Sequence, residues 1–257
     1  MKSFLFFVEG IHDINCVAKI LLMNGFKEIH NMNNLPKMWK IRIPRVYPFV
    51  DNRLDRFIPI PSYFIKDNLC VVMVSANGVE KIIKSIDLYL SNMTKEELNL
   101  VSGICAIFDA DQKIAKESFN EKFTNNSKDM VINKSDFLQG KCKIRGEVVN
   151  LYYYFFPDNN SKGTLENFLL EGAKVVYSDL LDKVNKYLDD IDEKYKGNWT
   201  ISSENKVKVG CIANVFRPGS ANQISIRLDD WISEESIIYS LVIKKFYDFI
   251  VNILNIN

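Results

Sequence analysis

Residues that ligate soft metals are scarce in this 257-residue chain, which has two histidines, His12 and His30, and five cysteines, Cys16, Cys70, Cys105, Cys142 and Cys211. None stands in a C-x-x-C or H-x-x-x-H spacing, which removes the usual zinc frameworks. An odd cysteine count without paired spacing, three of the five inside apolar runs, argues against a disulfide scaffold and for a reducing cytoplasm. Charge of one sign is not in excess either. Thirty-three basic residues face thirty-two acidic ones, so any attraction for a polyanion has to be local. No apolar run reaches the ~18 residues that cross a bilayer. The stretch Ser3–Val8 is too short for a secretory signal core with its cleavage site. The expectation is a soluble, cytoplasmic protein without membrane association. The pattern G-x-x-x-x-G-K-[ST] is missing as well, which excludes a nucleotide motor of P-loop type.

What is present is an ordinary globular balance, 47% hydrophobic and 25% charged, enough for a sizeable core. Phe4–Val8 is a continuous apolar run, followed by Ile14, Val17, Ala18, Leu21 and Leu22 at helical spacing, with Gly25 as a stop. The unit recurs as a strand over 69–74, a turn at Asn77-Gly78 and a helix over 79–90. Further strands are expected at 104–108 and 151–156, with a helix opening near Thr164. Strands that are apolar throughout and alternate with helices indicate an α/β fold, a mostly parallel sheet flanked by helices on both faces.

Five of the seven prolines (Pro36, Pro44, Pro48, Pro59, Pro61) lie between Asn31 and Lys66. At that density a regular helix is excluded, and residues 31–66 read as an insertion over the sheet. From residue 177 to the end the pattern is mainly helical, although 206–216 fits strand or helix. A closing helix is expected to bury Ile237, Ile238, Leu241, Val242, Phe246, Phe249, Ile250 and Ile253. The division is therefore an α/β domain over 1–176 and a helical C-terminal extension over 177–257.

Acids follow the strands. Glu9 and Asp13 come after the first, Asp109 and Asp111 after the third, and Asp158 after the fourth. In a parallel α/β sheet ligands bind beyond the carboxyl ends of the strands. Asp109 and Asp111 are separated by Ala110, so in extended backbone both carboxylates point to one side. A solitary aspartate there is usually a cap or a turn residue. The set together suits magnesium, or manganese, which takes oxygen ligands and keeps waters for a phosphate substrate. Asp109, Asp111, Asp13 and Asp158 are the metal candidates, and Glu9 a second-metal ligand or a general acid/base.

The sequences Val8-Glu9-Gly10-Ile11-His12-Asp13 and Asp109-Ala110-Asp111 resemble the TOPRIM fold, whose hallmarks are a glutamate in a V-E-G-x-x-D context after the first strand and a D-x-D after the third. Pro157-Asp158-Asn159-Asn160, Gly163-Thr164-Leu165-Glu166-Asn167 and Arg217-Pro218-Gly219 are similar to a stand-alone TOPRIM-like family of unknown function. The resemblance implies magnesium-dependent chemistry on phosphodiesters, with Asp109 and Asp111 on the metal and Glu9 in proton transfer. It also implies a catalytic role for Glu166, as in the overcoming-lysogenization-defect nucleases. Those nucleases carry an ATPase half that this chain does not show.

Within the insertion, Lys37, Lys40, Arg42 and Arg45 interleave with Trp39 and Tyr47, a pattern that can track a phosphate backbone while a ring stacks on a base. The alternative is that these aromatics pack on the sheet. His12 reads as a surface residue near a helix cap, and Tyr152, Tyr153 and Tyr154 as strand packing. The expected function is magnesium-dependent hydrolysis of DNA or RNA. The alternatives are a metal-dependent binding module without turnover or a partner subunit of a separately encoded ATPase; the expected protein partner is such an ATPase or a second copy of the chain, as a homodimer.

Overall fold

A computed structural model describes residues 1–43, 60–78, 81–113, 117, 130–136, 139–144 and 146–256. It has an α/β fold with a run of C-terminal helices. Among the described residues eight strands form one sheet in the order β2-β3-β4-β1-β5-β8-β7-β6. At its centre stand β1 (Lys2–Val8), β4 (Leu69–Ser75), β5 (Val101–Asp109) and β8 (Glu147–Phe156). β1 runs parallel to both β4 and β5, with Phe7 opposite Val74 on one side and Ala106 on the other. The Ala110 N–H just past β5 donates to the Phe156 carbonyl at the end of β8, at 3.1 Å. Neighbouring strands that finish together are parallel, so the four central strands point one way. Leu5, Phe6, Phe7 and Val8 are fully buried, as a strand covered on both faces requires.

The expected mostly parallel α/β sheet is found at the centre, and the edge strands pair antiparallel. β2 (Lys27–Glu28) and β3 (Ser62–Lys66) pair antiparallel, and β3 runs antiparallel to β4. At the other end β6 (Met130–Asp136), β7 (Gln139–Ile144) and β8 form an antiparallel meander. The expected insertion is thus partly sheet, with Tyr63 and Phe64 of β3 buried. It also holds a single helical turn, Lys37–Lys40, opening directly after Pro36, where a proline costs no hydrogen bond.

The chain divides into two compact units, each assembled from separate stretches. The first takes Met1–Gly10, Leu21–Ile107 and Phe123–Tyr153, and the second takes Ile11–Ile20, Phe108–Lys122 and Tyr154–Asn257. In the first unit the ring of Phe7 meets Tyr89 edge-on at 5.5 Å. Arg42 joins Glu97 at 2.5 Å, and Glu97 also completes a capping box with Thr94.

The second unit holds part of α1 (Ile11–Met23) and most of the remaining helices, which we number after α2 (Lys37–Lys40), α3 (Ile82–Ser91) and α4 (Lys95–Leu98). They are α5 (Leu165–Val176), α6 (Ser178–Asp189), α7 (Glu193–Lys196) and α8 (Ile201–Phe216), then α9 (Asn222–Leu228), α10 (Glu234–Tyr239) and α11 (Leu241–Leu254). Its core is aromatic: Phe246 lies 4.8 Å from Tyr154, 5.0 Å from Phe156 and 5.3 Å from Phe168, centroid to centroid. Gly172 of α5 lets the backbone of Trp231 approach, since a Cβ there would lie 2.2 Å from the Trp231 carbonyl oxygen.

The ambiguous stretch 206–216 is helical. Thr200 caps it by accepting from the Ser203 N–H, and Val209, Ile212 and Ala213 are buried. The expected closing helix is two helices. Ser240 interrupts it with extended backbone and accepts the Ile243 N–H. The buried residues are accordingly Ile243, Phe246, Ile250 and Leu254, while Ile238 and Leu241 are about two-thirds exposed, at 68% and 67%. Among the described residues no helix is long and apolar enough to cross a membrane.

Candidate functional site

Asp109 is the last residue of β5, and one of its carboxylate oxygens accepts the N–H of Leu165, the first residue of α5, at 2.8 Å. The first N–H groups of a helix have no partner inside it. Thr164, which precedes α5, turns its hydroxyl to donate to Glu166 at 2.7 Å, and its own N–H goes to Asn167 at 3.0 Å. A carboxylate from a distant strand therefore serves the start of this helix, where the helix dipole favours negative charge.

Two residues on, Asp111 exchanges both backbone hydrogen bonds with Gly163, at 2.8 and 2.9 Å. This short bridge ties the exit of β5 to the approach of α5. Asp111 has a positive φ of 56° and Gly163 one of 138°. The alternation expected to align Asp109 with Asp111 needs extended backbone, which the left-handed conformation at Asp111 does not provide. Asp111 is exposed and Ala110 buried.

Asp158 has a structural occupation. It accepts the N–H groups of Ser161 at 2.7 Å and Asn160 at 3.1 Å, closing a turn, and pairs with Lys245 at 3.3 Å. Burial alone would push its carboxyl up, but those hydrogen bonds and the ammonium outweigh burial and hold it below the usual range. Asp13 lies buried in the first turn of α1. Glu9, in the first unit, follows β1, and its carbonyl accepts the Gly78 N–H at 3.2 Å, so the Asn77-Gly78 turn is fastened there. Asn77 and Gly78 both have positive φ, 55° and 127°. Among the described residues no three His, Cys, Asp or Glu side chains are grouped to hold a metal ion.

Beside the start of α5 the second unit has a cleft of about 300 Å³. Its polar side is formed by His12, Glu166, Lys206 and Asn222, and its apolar side by Leu165, Leu169, Val209 and Ile226. His12 is not the plain surface residue expected. It is half-buried, hydrogen-bonded to Gln223, and burial holds its imidazole below the usual value, opposed by Glu166 and aided by Lys206. Among the described residues no carboxylate lies within ion-pair distance of Lys206. A hollow of similar size, about 280 Å³, lies between the end of α6 and the start of α8. There Lys196 is paired with Glu193 at 2.9 Å, so its charge is already compensated.

The expected nucleic-acid surface changes character. Trp39 is fully buried and donates its Nε1–H to Ser3 Oγ at 3.0 Å, so it is core and unavailable for stacking on a base. Arg42 is committed to Glu97 and to the Asn92 carbonyl at 3.2 Å. Lys40 donates to Asn33 Oδ1 at 3.2 Å, and Lys37 opens the same single turn. Arg45 and Tyr47 lie outside the described residues. Arg217, in the third weak motif, is paired with Asp229 at 2.7 Å. Tyr153 and Tyr154 are buried strand residues, as expected.

A family model described as "Protein of unknown function (DUF3226)" matches residues 3–253. The chain belongs to this DUF3226 family. No curated protein matches it. A hypothetical protein from Pyrococcus horikoshii OT3 is similar in structure, with a TM-score of 0.50 and 19% identity over 99% of this chain and 97% of the other. At that identity the likeness speaks for the fold alone. A protein with unknown function from Thermoplasma acidophilum matches at a TM-score of 0.22 and 11% identity over 76% of this chain and 87% of its own.

In this DUF3226 chain the sequence pattern singled out Asp109 and Glu166, which border one feature. It missed Lys206, Asn222 and Gln223, which helix packing brings to the cleft from segments without a motif of their own. The one local signal was the unbroken apolar spacing Val209, Ile212, Ala213, which makes 206–216 a helix and turns Lys206 to the side of Val209.

Proposed function

We propose that the chain is a nuclease-like TOPRIM protein of the cytoplasm that hydrolyses phosphodiester bonds in DNA or RNA with magnesium or manganese. The observation that carries this reading is Asp109: a carboxylate at the carboxyl end of a central parallel strand, oriented by the first N–H of α5, the helix that bears Glu166 and borders the cleft. Ligand chemistry in such sheets belongs to that edge. A pre-oriented acid there differs from the solvated turn aspartate that a single strand-end Asp would otherwise suggest.

The donor set suits magnesium of one kind only. With no trio of ligands among the described residues, an ion would be held by Asp109 and completed by water and substrate phosphate, the habit of magnesium in phosphoryl-transfer sites; Asp111, which its left-handed backbone takes out of line with Asp109, we assign to the metal on the resemblance alone. When bound, it would neutralise charge on the phosphoryl group. The remaining work falls to the chain. Proton transfer from the attacking water we assign to Glu9 on the resemblance of Val8-Glu9-Gly10 alone. Glu166, fixed by the Thr164 hydroxyl, orients the substrate beside α5. Asp158 we assign to its turn, and Asp13 to the first turn of α1, where its charge favours the helix.

The same lack of a trio favours a second reading, a metal-dependent binding module that grips a nucleotide or nucleic-acid end without turnover. On either reading ATP-driven movement would need a separately encoded ATPase partner. Cleavage of single- and double-stranded DNA and RNA with magnesium or manganese decides between them, alongside calorimetric titration of manganese. Asp109→Asn and Asp111→Asn are expected to abolish both cleavage and manganese binding with the fold intact. Wild-type cleavage in both variants sinks the hydrolytic reading, and manganese binding without cleavage in the wild type selects the binding module.

A further inference from the structure

We infer that Asn167, the third residue of α5, is a positioning residue for the acids at the end of β5: its side-chain oxygen fixes the peptide between Gly163 and Thr164, and that peptide fixes the strand exit. For the metal that Asp109 would hold, this rests on the hydrolytic reading above; the coupling itself stands on geometry.

The peptide between Gly163 and Thr164 is held on both sides. Its N–H, on Thr164, donates to Asn167 Oδ1 at 3.0 Å. Its carbonyl, on Gly163, accepts the Asp111 N–H at 2.8 Å. A peptide unit is planar, so it cannot turn to release one of these bonds without straining the other. The return bond, from the Gly163 N–H to the Asp111 carbonyl at 2.9 Å, closes the pair. Asp111 keeps its left-handed φ of 56°, a conformation that persists in a residue other than glycine when its surroundings determine it.

Asn167 also lies directly against the glycine. A Cβ at Gly163 would stand 2.8 Å from Asn167 Oδ1 and 2.9 Å from its Cγ, and the φ of 138° there suits glycine alone. Two residues beyond Gly163, the Leu165 N–H donates to the Asp109 carboxylate at 2.8 Å. Three hydrogen bonds therefore join the exit of β5 to the approach of α5, two on Asp111 and one on Asp109. Asn167 sets where the helix side of them stands. With its N–H taken by Asn167, Thr164 keeps its hydroxyl for Glu166, at 2.7 Å, the acid to which the hydrolytic reading gives the substrate. A residue that only capped the helix would satisfy the Thr164 N–H and end there. Here the same peptide carries the constraint across to the acids of β5, and an outer partner that orients a metal-binding carboxylate raises its affinity for the ion.

The test compares the full chain with its Asn167→Ala and Asn167→Gln variants by amide hydrogen exchange without metal and by manganese binding, followed by electron paramagnetic resonance. Asn167 is half-buried and alanine is the best helix former, so α5 should persist; unchanged far-ultraviolet circular dichroism verifies it. Asn167→Ala is expected to speed exchange at Gly163, Thr164, Leu165 and Asp111 by about fivefold, the net worth of one hydrogen bond, and to leave the amides of α11 as in wild type. Its manganese affinity should fall by about tenfold. Asn167→Gln returns an amide oxygen at the capping-box position and should restore both. Acceleration confined to Thr164 marks a plain helix cap and overturns the inference, as does acceleration that reaches α11 equally, which marks a general loss of stability. Wild-type manganese affinity in Asn167→Ala overturns it too. A wild-type chain that binds no manganese removes the metal reading, and the exchange pattern then decides the coupling by itself.

Discussion

Removing the Asp109 side chain should damage α5 before it damages any chemistry, and the two effects can be measured apart. Asp109→Ala leaves the Leu165 N–H without the acceptor it now has at 2.8 Å in a half-buried setting. Loss of a side-chain acceptor at a helix start costs about 0.5–2 kcal/mol. Loss of the negative charge at the positive end of the helix adds about 0.3–1 kcal/mol. The sum for alanine is roughly 1–3 kcal/mol, which for a chain of this size lowers the melting temperature by very roughly 2–12 °C, at about 2–4 °C per kcal/mol. Asp109→Asn keeps an oxygen acceptor and loses only the charge, so it should cost less than about 1 kcal/mol. Urea unfolding followed by circular dichroism, without metal, reads both numbers. Repeating it with magnesium separates the second role. A ligand at a hundred times its Kd stabilises the native state by about 2.7 kcal/mol, a gain that wild type should show and asparagine should lack. If Asp109→Ala unfolds at the wild-type urea concentration without metal, the strand-to-helix cap does not exist and the orientation argued for this carboxylate goes with it.

Gly172→Ala is expected to destabilise the second unit by about 1–3 kcal/mol or more, because the added methyl would lie 2.2 Å from the Trp231 carbonyl oxygen. Near-ultraviolet circular dichroism, to which the buried Trp39 and Trp231 both contribute, reports it during a thermal melt, and a wild-type melting temperature refutes the close approach. Lys245→Met tests the electrostatics at Asp158, whose carboxyl is held below its ordinary value of 3.8. A depressed carboxyl contributes stability that is complete above the unfolded value and is lost as pH falls through the folded one. The variant should therefore be less stable near neutrality, by no more than about 0.5–1 kcal/mol since the ammonium is partly exposed. It should also lose less stability than wild type on acidification below pH about 4. Urea midpoints between neutral and acid pH measure this, and parallel curves for the two proteins reject the pair.

The fold was legible wherever one rule acted alone. β1, β4, β5 and the second half of β8, from Tyr153, are mostly buried on both faces, so their apolar runs announced them, and the helices between them showed one apolar stripe. The edge strands were illegible for the converse reason. β2 is two residues long, and Gln139–Ile144 alternates lysines with small or apolar residues, a weak pattern that antiparallel partners complete. Trp39 stood open between stacking on a base and packing on the sheet, because its basic neighbours suggested solvent, and the packing alternative holds. A single turn after Pro36 was enough to bury the ring, with Ser3 Oγ accepting its N–H. The spacing of the acids after the strands was visible, but the left-handed backbone at Asp111 was not, since D-x-D does not encode φ. The cleft was the least legible part, because its residues share no local pattern and meet only through helix packing.

The discontinuous make-up of the two units bears on how the chain can mature. Ile11–Ile20 leaves the ribosome early, yet its own unit is chiefly built from Tyr154–Asn257, so this segment must wait for most of the protein to be translated. Loop closure over such separations slows folding, and cutting the gene at any one codon cannot yield either body whole. Deletion fragments are therefore a poor route to this protein's biology, and point substitutions in the intact polypeptide are the sound one.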